Sequence, residues 1–144
     1  MREQRRGRKI AMAANELDAF LREERTCRVA TVGADGRPHN TPLWFVWDGS
    51  AIHIYSLTHG AKQKHIAAND KVALHFDSGP GGGDIVVISG RAEIVPDAPP
   101  PSRFPGLLDK YAPAIEYMGR EPKWYDDEYA VALRVTPERA WTIP

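Results

Sequence analysis

Two Asp-Gly dipeptides, Asp35-Gly36 and Asp48-Gly49, limit what the chain around them can become. Glycine takes positive φ without a Cβ clash and aspartate bonds its own backbone in turns, so both read as reversals between strands. Cys27 to Val32 is short and β-rich and runs into the first reversal; His39 to Trp47 is its partner strand. Past the second reversal, Ile52, Ile54 and Ser56 alternate with His53, Tyr55 and Leu57, which puts the two sets on opposite faces of a strand. Thr58, His59 and Gly60 then make a polar loop, and it opens a helix over residues 61–68 that carries Lys62 and Lys64. Hydroxyls, unpaired backbone N–H groups and a lysine at a helix start would suit a phosphate cradle, and the plainer alternative on pattern alone is an ordinary hairpin followed by a solvated basic helix.

The partner strand has two features of its own. Pro42 cannot donate to a central ladder, so a bulge or an unpaired edge is expected there, with the backbone of Thr41 and Leu43 free to meet a ligand. Leu43, Phe45 and Trp47 alternate with Trp44 and Val46, so both faces are apolar. Such a strand is sandwiched between a core and a second surface, either a subunit interface or a flat ring system.

Elsewhere the pattern is simpler. Asn15 is the expected N-cap of a helix through about Arg25, whose Leu17, Phe20 and Leu21 make one apolar face for the end or flank of a sheet. Lys71 to Asp77 and the segment IVVISGRAEIV are strands, joined by a Gly-rich loop that reads as a mobile hairpin tip because no phosphate-loop lysine follows. A proline-rich extended connection over 96–105 leads to helical spacing at Leu107, Leu108, Tyr111 and Ile115, kinked or split at Pro113. Tyr129 to Val135 and Arg139 to Ile143 are strands about a turn at Thr136-Pro137-Glu138. Six or seven short strands with three helical segments predict a mainly β barrel or sandwich.

At 144 residues the chain suits a single domain over 15–144, preceded by a basic arm over 1–14. Arg2, Arg5, Arg6, Arg8 and Lys9 make that arm basic, which leaves the remainder acidic by four charges although the whole is neutral. The arm reads as a solvated terminus, so neither a nucleic-acid nor a membrane partner is expected. No apolar run approaches the ~20 residues of a membrane span. The lone Cys27 excludes an internal disulfide and, in an apolar strand, is a packed thiol; a reducing cytoplasm fits it. Five scattered histidines lack metal-ligand spacing, so no metal site is expected. No nucleophile motif is present either, and the expected catalytic side chains are none. A chain without its own reactive group suits a borrowed redox cofactor.

The ordered series RTCRVATVGADGRPHNTPLWFVWDG, a strand, and THGAKQKHI resembles the flavin-binding split-barrel superfamily of pyridoxamine 5'-phosphate oxidase-like proteins. It is most similar to the actinobacterial branch that uses the deazaflavin coenzyme F420. The resemblance covers residues 16–95 well and the tail from Tyr129 to Ile143 more loosely. It implies a Greek-key-like split β-barrel, a homodimer with the cofactor at its interface, and hydride exchange between reduced F420 and an electron-poor small molecule. FMN is the alternative cofactor, on an oxidoreductase of this fold. A non-catalytic flavin-, haem- or tetrapyrrole-binding protein is the other alternative.

Site roles follow from the same resemblance. The oxidase strand of form Arg-x-x-x-Leu-Lys falls on Thr41 to Val46, where both charged ends are missing. Its Tyr-Thr pair falls on Tyr55 and Ser56, and its Arg-Lys pair on Ala61 and Lys62. The resemblance therefore implies a phosphate held by Ser56 and Lys62, and no oxidation of vitamin B6. The implied cofactor-binding set is Thr41, Pro42, Leu43, Trp44, Tyr55, Ser56, Thr58 and Lys62, and Trp44, Trp47, Trp124 and Trp141 are expected either as pocket aromatics or as plain interface packing.

Overall fold

The chain's longest-range constraint is covalent: one residue, Trp44, joins strands that lie at opposite ends of the same sheet. A computed structural model describes residues 8–76 and 85–143. Most of the basic arm and the Gly-rich hairpin tip expected between Asp77 and Asp84 lie outside the described residues. Among the described residues, eight strands form one antiparallel sheet: β1 (Ile10–Ala11), β2 (Cys27–Val32), β3 (Pro38–Leu43), β4 (Phe45–Trp47), β5 (Ile52–Ser56), β6 (Lys71–Phe76), β7 (Ile85–Ile94) and β8 (Val131–Ile143). Their order is β3-β2-β6-β7-β8-β5-β4, with β1 paired to β8. Because Leu43 ends β3 and Phe45 begins β4, the sheet curls until its two edges meet, giving the split barrel.

Four α-helices dress this sheet: α1 (Ala14–Glu23), α2 (Lys62–Ala68), α3 (Leu107–Tyr117) and α4 (Pro122–Glu128). Inward residues of strands β2 to β8 fill the barrel, among them Val29, Phe45, Ile52, Ile54, Leu74, Ile88, Leu133 and Val135. The apolar face of α1 closes this core, with Leu21 fully buried and Phe20 edge-on to Phe76 at 5.0 Å. Burying a leucine in this way stabilises the fold by about 1.5–3 kcal/mol. A second cluster lies on the outer face of β5 and β8, where Tyr55 and Ala132 pack with Leu107, Tyr111 and Ile115 of α3 and Tyr125 of α4.

Several local expectations change. Ala13, not Asn15, caps α1, and the Glu16 carboxylate accepts the Ala13 N–H at 3.3 Å. The strand expected over 39–47 is divided at Trp44. Of the two outcomes expected at Pro42 the unpaired edge is the one found: Pro42 pairs in register with Arg28 without a bulge, and β3 is an outer edge. The turn expected at Thr136-Pro137-Glu138 is a bulge within a continuous β8: Ser89 faces Arg139 and Gly90 faces Pro137, so Glu138 is the extra residue. Gly90 is required there, because a Cβ would sit 2.3 Å from the Thr136 carbonyl oxygen. Pro113 lies inside one unbroken helix, and α4, which begins at Pro122, adds a helix that the periodicity did not mark. Ile10–Ala11 already pair with β8, so the sheet starts ahead of residue 15.

The second surface against β4 is the chain's own α3. The Phe45 N–H donates to the Tyr111 hydroxyl at 3.0 Å, and that hydroxyl lies 2.7 Å from the Arg25 carbonyl oxygen, to which it donates. Lys110 donates to the Phe45 carbonyl at 3.0 Å and sits 3.8 Å over the Phe45 ring. One turn of α3 thus supplies the hydrogen bonds that an edge strand lacks.

Two outcomes are expected. Tyr111→Phe strands a buried N–H and should lower unfolding free energy by about 1–3 kcal/mol, measurable as a lower denaturant midpoint. Burial, with Arg25 nearby, pushes the Lys110 ammonium from the ordinary 10.5 down to about 8. The unfolded chain therefore holds more protons between those values, and wild-type stability should gain on Lys110→Met as pH rises from about 8 towards 10. A constant gap in melting temperature between the two proteins across that range would contradict the assignment.

Candidate functional site

The period of two along β3 sends Thr41 and Leu43 to one side and Pro42 and Trp44 to the other, and a recess opens on each side. The first, about 160 Å³, is lined by His39, Thr41, Leu43, Ser56, Lys62 and His65 together with the loop around Gly60. The second, about 250 Å³, is lined by Pro42, Leu43, Trp44, Met118, Trp124, Tyr125 and Tyr129, with Thr26. Leu43 borders both, so the two recesses are neighbours along one strand.

Lys62 is the chemical centre of the first recess. As the first residue of α2 it projects back towards β3, and its ammonium donates to the Thr41 hydroxyl at 2.6 Å. It is 8% exposed, an unusual burial for a lysine, and desolvation holds its ammonium below the usual lysine range. Among the described residues, no acidic side chain lines the recess. A buried cation without a carboxylate is costly, and an anion from outside offsets that cost. Thr41 accepts from Lys62 and so keeps its own proton to donate. Ser56, 5% exposed on β5, adds a hydroxyl from the opposite wall.

The second recess is aromatic. The Trp44 ring stacks on Tyr111 at 4.5 Å and 7° and on Tyr125 at 5.2 Å and 14°; Tyr125 stacks on Tyr129 at 4.8 Å and 11°. Burial pushes the Tyr111 and Tyr125 hydroxyls well above the ordinary tyrosine range, so neither is an acid–base group at neutral pH. The wall offers flat apolar contact rather than proton transfer.

The expected residues divide accordingly. Thr41, Leu43, Ser56 and Lys62 come together in the first recess, and Pro42, Leu43 and Trp44 line the second. Tyr55 lies elsewhere: it faces the outer cluster, and its hydroxyl donates to the Pro99 carbonyl at 2.5 Å. Thr58 is committed to holding the start of β8, donating to the Asp127 carbonyl at 2.9 Å and accepting the Ala130 N–H at 3.1 Å. Of the four tryptophans, Trp44 and Trp124 line the aromatic recess. Trp47 instead donates to Asp18 at 2.9 Å, and Trp141 lies under Lys9 at 3.7 Å. Cys27 is fully buried with its thiol pushed up to about 12, as a packed group should be. His39 and His65, which the sequence does not single out, both line the Lys62 recess. Their only sequence signal was the i, i+3 spacing of Lys62 and His65 on one helix face.

A 5a,11a-dehydrotetracycline/5a,11a-dehydrooxytetracycline reductase from Streptomyces rimosus is 38% identical over 85 residues, which span 54% of this chain and 60% of that relative. Among solved structures, a protein named F420 reductase superposes with a TM-score of 0.66 at 27% identity, covering 85% of this chain and 94% of the other. An FAD-binding protein from Mesorhizobium loti gives a TM-score of 0.63 at 23% identity, covering 94% and 95%, and bears on the fold alone. Residues 13–144, nearly the whole described chain, match the family described as pyridoxamine 5'-phosphate oxidase, and the protein belongs to that split-barrel family.

Proposed function

We propose that the protein is an F420-dependent oxidoreductase that reduces an electron-poor, flat organic molecule. The observation that carries this reading is Lys62: a buried ammonium beside two hydroxyls, with no carboxylate in its recess, adjoining an aromatic recess across Leu43. Lys62, Thr41 and Ser56 hold the phosphate, and the β3 backbone near Leu43 orients the ring system. Bound reduced deazaflavin supplies a hydride. Trp44, Trp124 and Tyr125 exclude water and present a stacking wall to the acceptor. Neighbours named as an F420 reductase and as a dehydrotetracycline reductase support this direction of chemistry. The absence of arginine at Thr41 and Ala61, and of lysine at Val46, favours a singly held phosphate over the oxidase arrangement.

Direct titration tests the assignment. Lys62→Ala removes a charge-assisted hydrogen bond worth about 1.5–3 kcal/mol and should weaken F420 binding about ten- to a hundredfold. Affinity within twofold of wild type would remove the phosphate from this recess. F420 should bind more tightly than FMN, and equal or tighter FMN binding would reverse the cofactor choice.

The reading includes a homodimer. Each recess is smaller than the ~300–1,000 Å³ of ordinary small-molecule pockets, which supports a second wall supplied by a partner subunit. The open edge of β3, with Pro38, His39, Asn40 and Pro42 exposed, is where a partner subunit would supply it. Light scattering should give twice the chain mass at micromolar concentration; a monomer would count against the shared site.

A further inference from the structure

A second perturbed lysine lies outside the two recesses, and the proposed chemistry leaves it unused. Lys110 faces an open recess of about 340 Å³ where α1, β4 and the start of α3 meet, with Arg22, Val46, Trp47 and Asp109 among its other walls. The side chain is half-buried. Its ammonium donates to the Phe45 carbonyl at 3.0 Å and lies 3.8 Å from the centre of the Phe45 ring and 5.2 Å from that of Tyr111. The Arg25 guanidinium lies 5.4 Å from the same Tyr111 ring, so two cations share one aromatic neighbour. Among the described residues, the bonded partners of the Lys110 ammonium are a carbonyl and two rings, and none is a carboxylate.

We infer that Lys110 is a site of covalent acylation, its amine attacking small activated acyl donors, acyl phosphates or thioesters, that enter the recess beside Trp47. In that step a C–N bond forms at the acyl carbon, and the bond from that carbon to phosphate or thiolate breaks with its electron pair. The amine gives one proton to solvent, and nothing is oxidised or reduced. The inference is independent of the cofactor reading. Acylation leaves the nitrogen one N–H and no charge, which loosens the tie between α3 and β4 next to Trp44.

Only the unprotonated amine attacks, so the surroundings decide the rate. Burial first, and then Arg25, bring the ammonium from 10.5 down to about 8. Glu24 opposes that shift, and so does the Phe45 ring, whose face favours a cation. The other groups add little: the Cys27 thiol and the Tyr111 hydroxyl are uncharged at neutral pH, and Arg22 is paired with Asp18 at 2.9 Å. Asp109 is the next residue along the helix and points about 100° away around it. At about pH 7.5, roughly a quarter of Lys110 is then free amine, against roughly one part in a thousand for an ordinary lysine. A weaker base is also a weaker nucleophile, which cancels much of that gain and leaves an advantage of roughly tenfold.

Acetyl phosphate is the probe, used on the wild-type chain, with the acetylation of each lysine followed at low extent by mass spectrometry of its peptides. At about pH 7.5 Lys110 should react roughly tenfold faster than Lys64 and Lys71, which are exposed on the same molecules. Above about pH 8 its rate should level, while theirs keep climbing to about pH 10. That levelling separates a perturbed amine from one that is merely accessible. A Lys110 rate within about twofold of the exposed lysines at the lower pH overturns the inference, as does a lower rate, which would show the recess shielding the amine. A rate that climbs in parallel with theirs up to about pH 10 overturns it as well.

Discussion

The Tyr111 side chain holds together what the topology would otherwise leave open. The sheet curls through eight strands to bring β3 and β4 end to end, and β4 arrives with an outer edge that no strand covers. Tyr111 answers with both of its parts: the hydroxyl takes the Phe45 N–H, and the ring stacks on Trp44 one residue earlier. Arg25 and Lys110 tie into the same point, since Arg25 donates to the Lys110 carbonyl. The strand edge, the end of α1's connection and α3 therefore share one anchor. A barrel closed by a hydroxyl and a stacked ring rather than by a full ladder keeps a flank open for ligand.

The candidate site sits at this closure. Alternation along β3 divides one short strand into a polar side and an aromatic side, so a ligand lying across Leu43 meets a cation at one end and flat rings at the other. The arrangement separates charge from flat apolar surface. Charge is concentrated at Lys62, where desolvation strengthens its attraction for an anion, and burial keeps the Tyr111 and Tyr125 hydroxyls of the aromatic stack protonated near neutrality. Such a division suits chemistry carried by a bound redox ring.

Much of the fold was legible in the sequence, because strand alternation and Asp-Gly reversals are local signals. Gly36 and Gly49 do adopt positive φ, at 80° and 98°. What escaped was set by distant partners. The apolar alternation of Leu43, Phe45 and Trp47 runs unbroken through Trp44, so nothing local reveals that β3 pairs with β2 while β4 pairs with β5. Pro137 looked like a turn residue, although its missing N–H is accommodated by a bulge opposite Gly90. The start of α4 carried a usable sign, proline at the first helical position after Glu121. At the site, the alternation that predicts β5 also separates Tyr55 from Ser56, so treating them as one pair set family likeness against local geometry, and geometry decided their faces. The meeting of Lys62 with Thr41 and of His65 with His39 needs the folded sheet, since each pair joins α2 to β3.

The single residue between β3 and β4 also gives the chain a parity. Leu43 and Phe45 both face the barrel core, and Trp44 between them faces the outer cluster. An odd spacing keeps the two edge strands in phase across the seam; an even one would turn Phe45 outward and Val46 inward along the whole of β4. The loops elsewhere can lengthen with only a slow entropic cost. Here one added residue would exchange the faces of a strand, so the seam has no tolerance for length and the freedom to vary lies away from it.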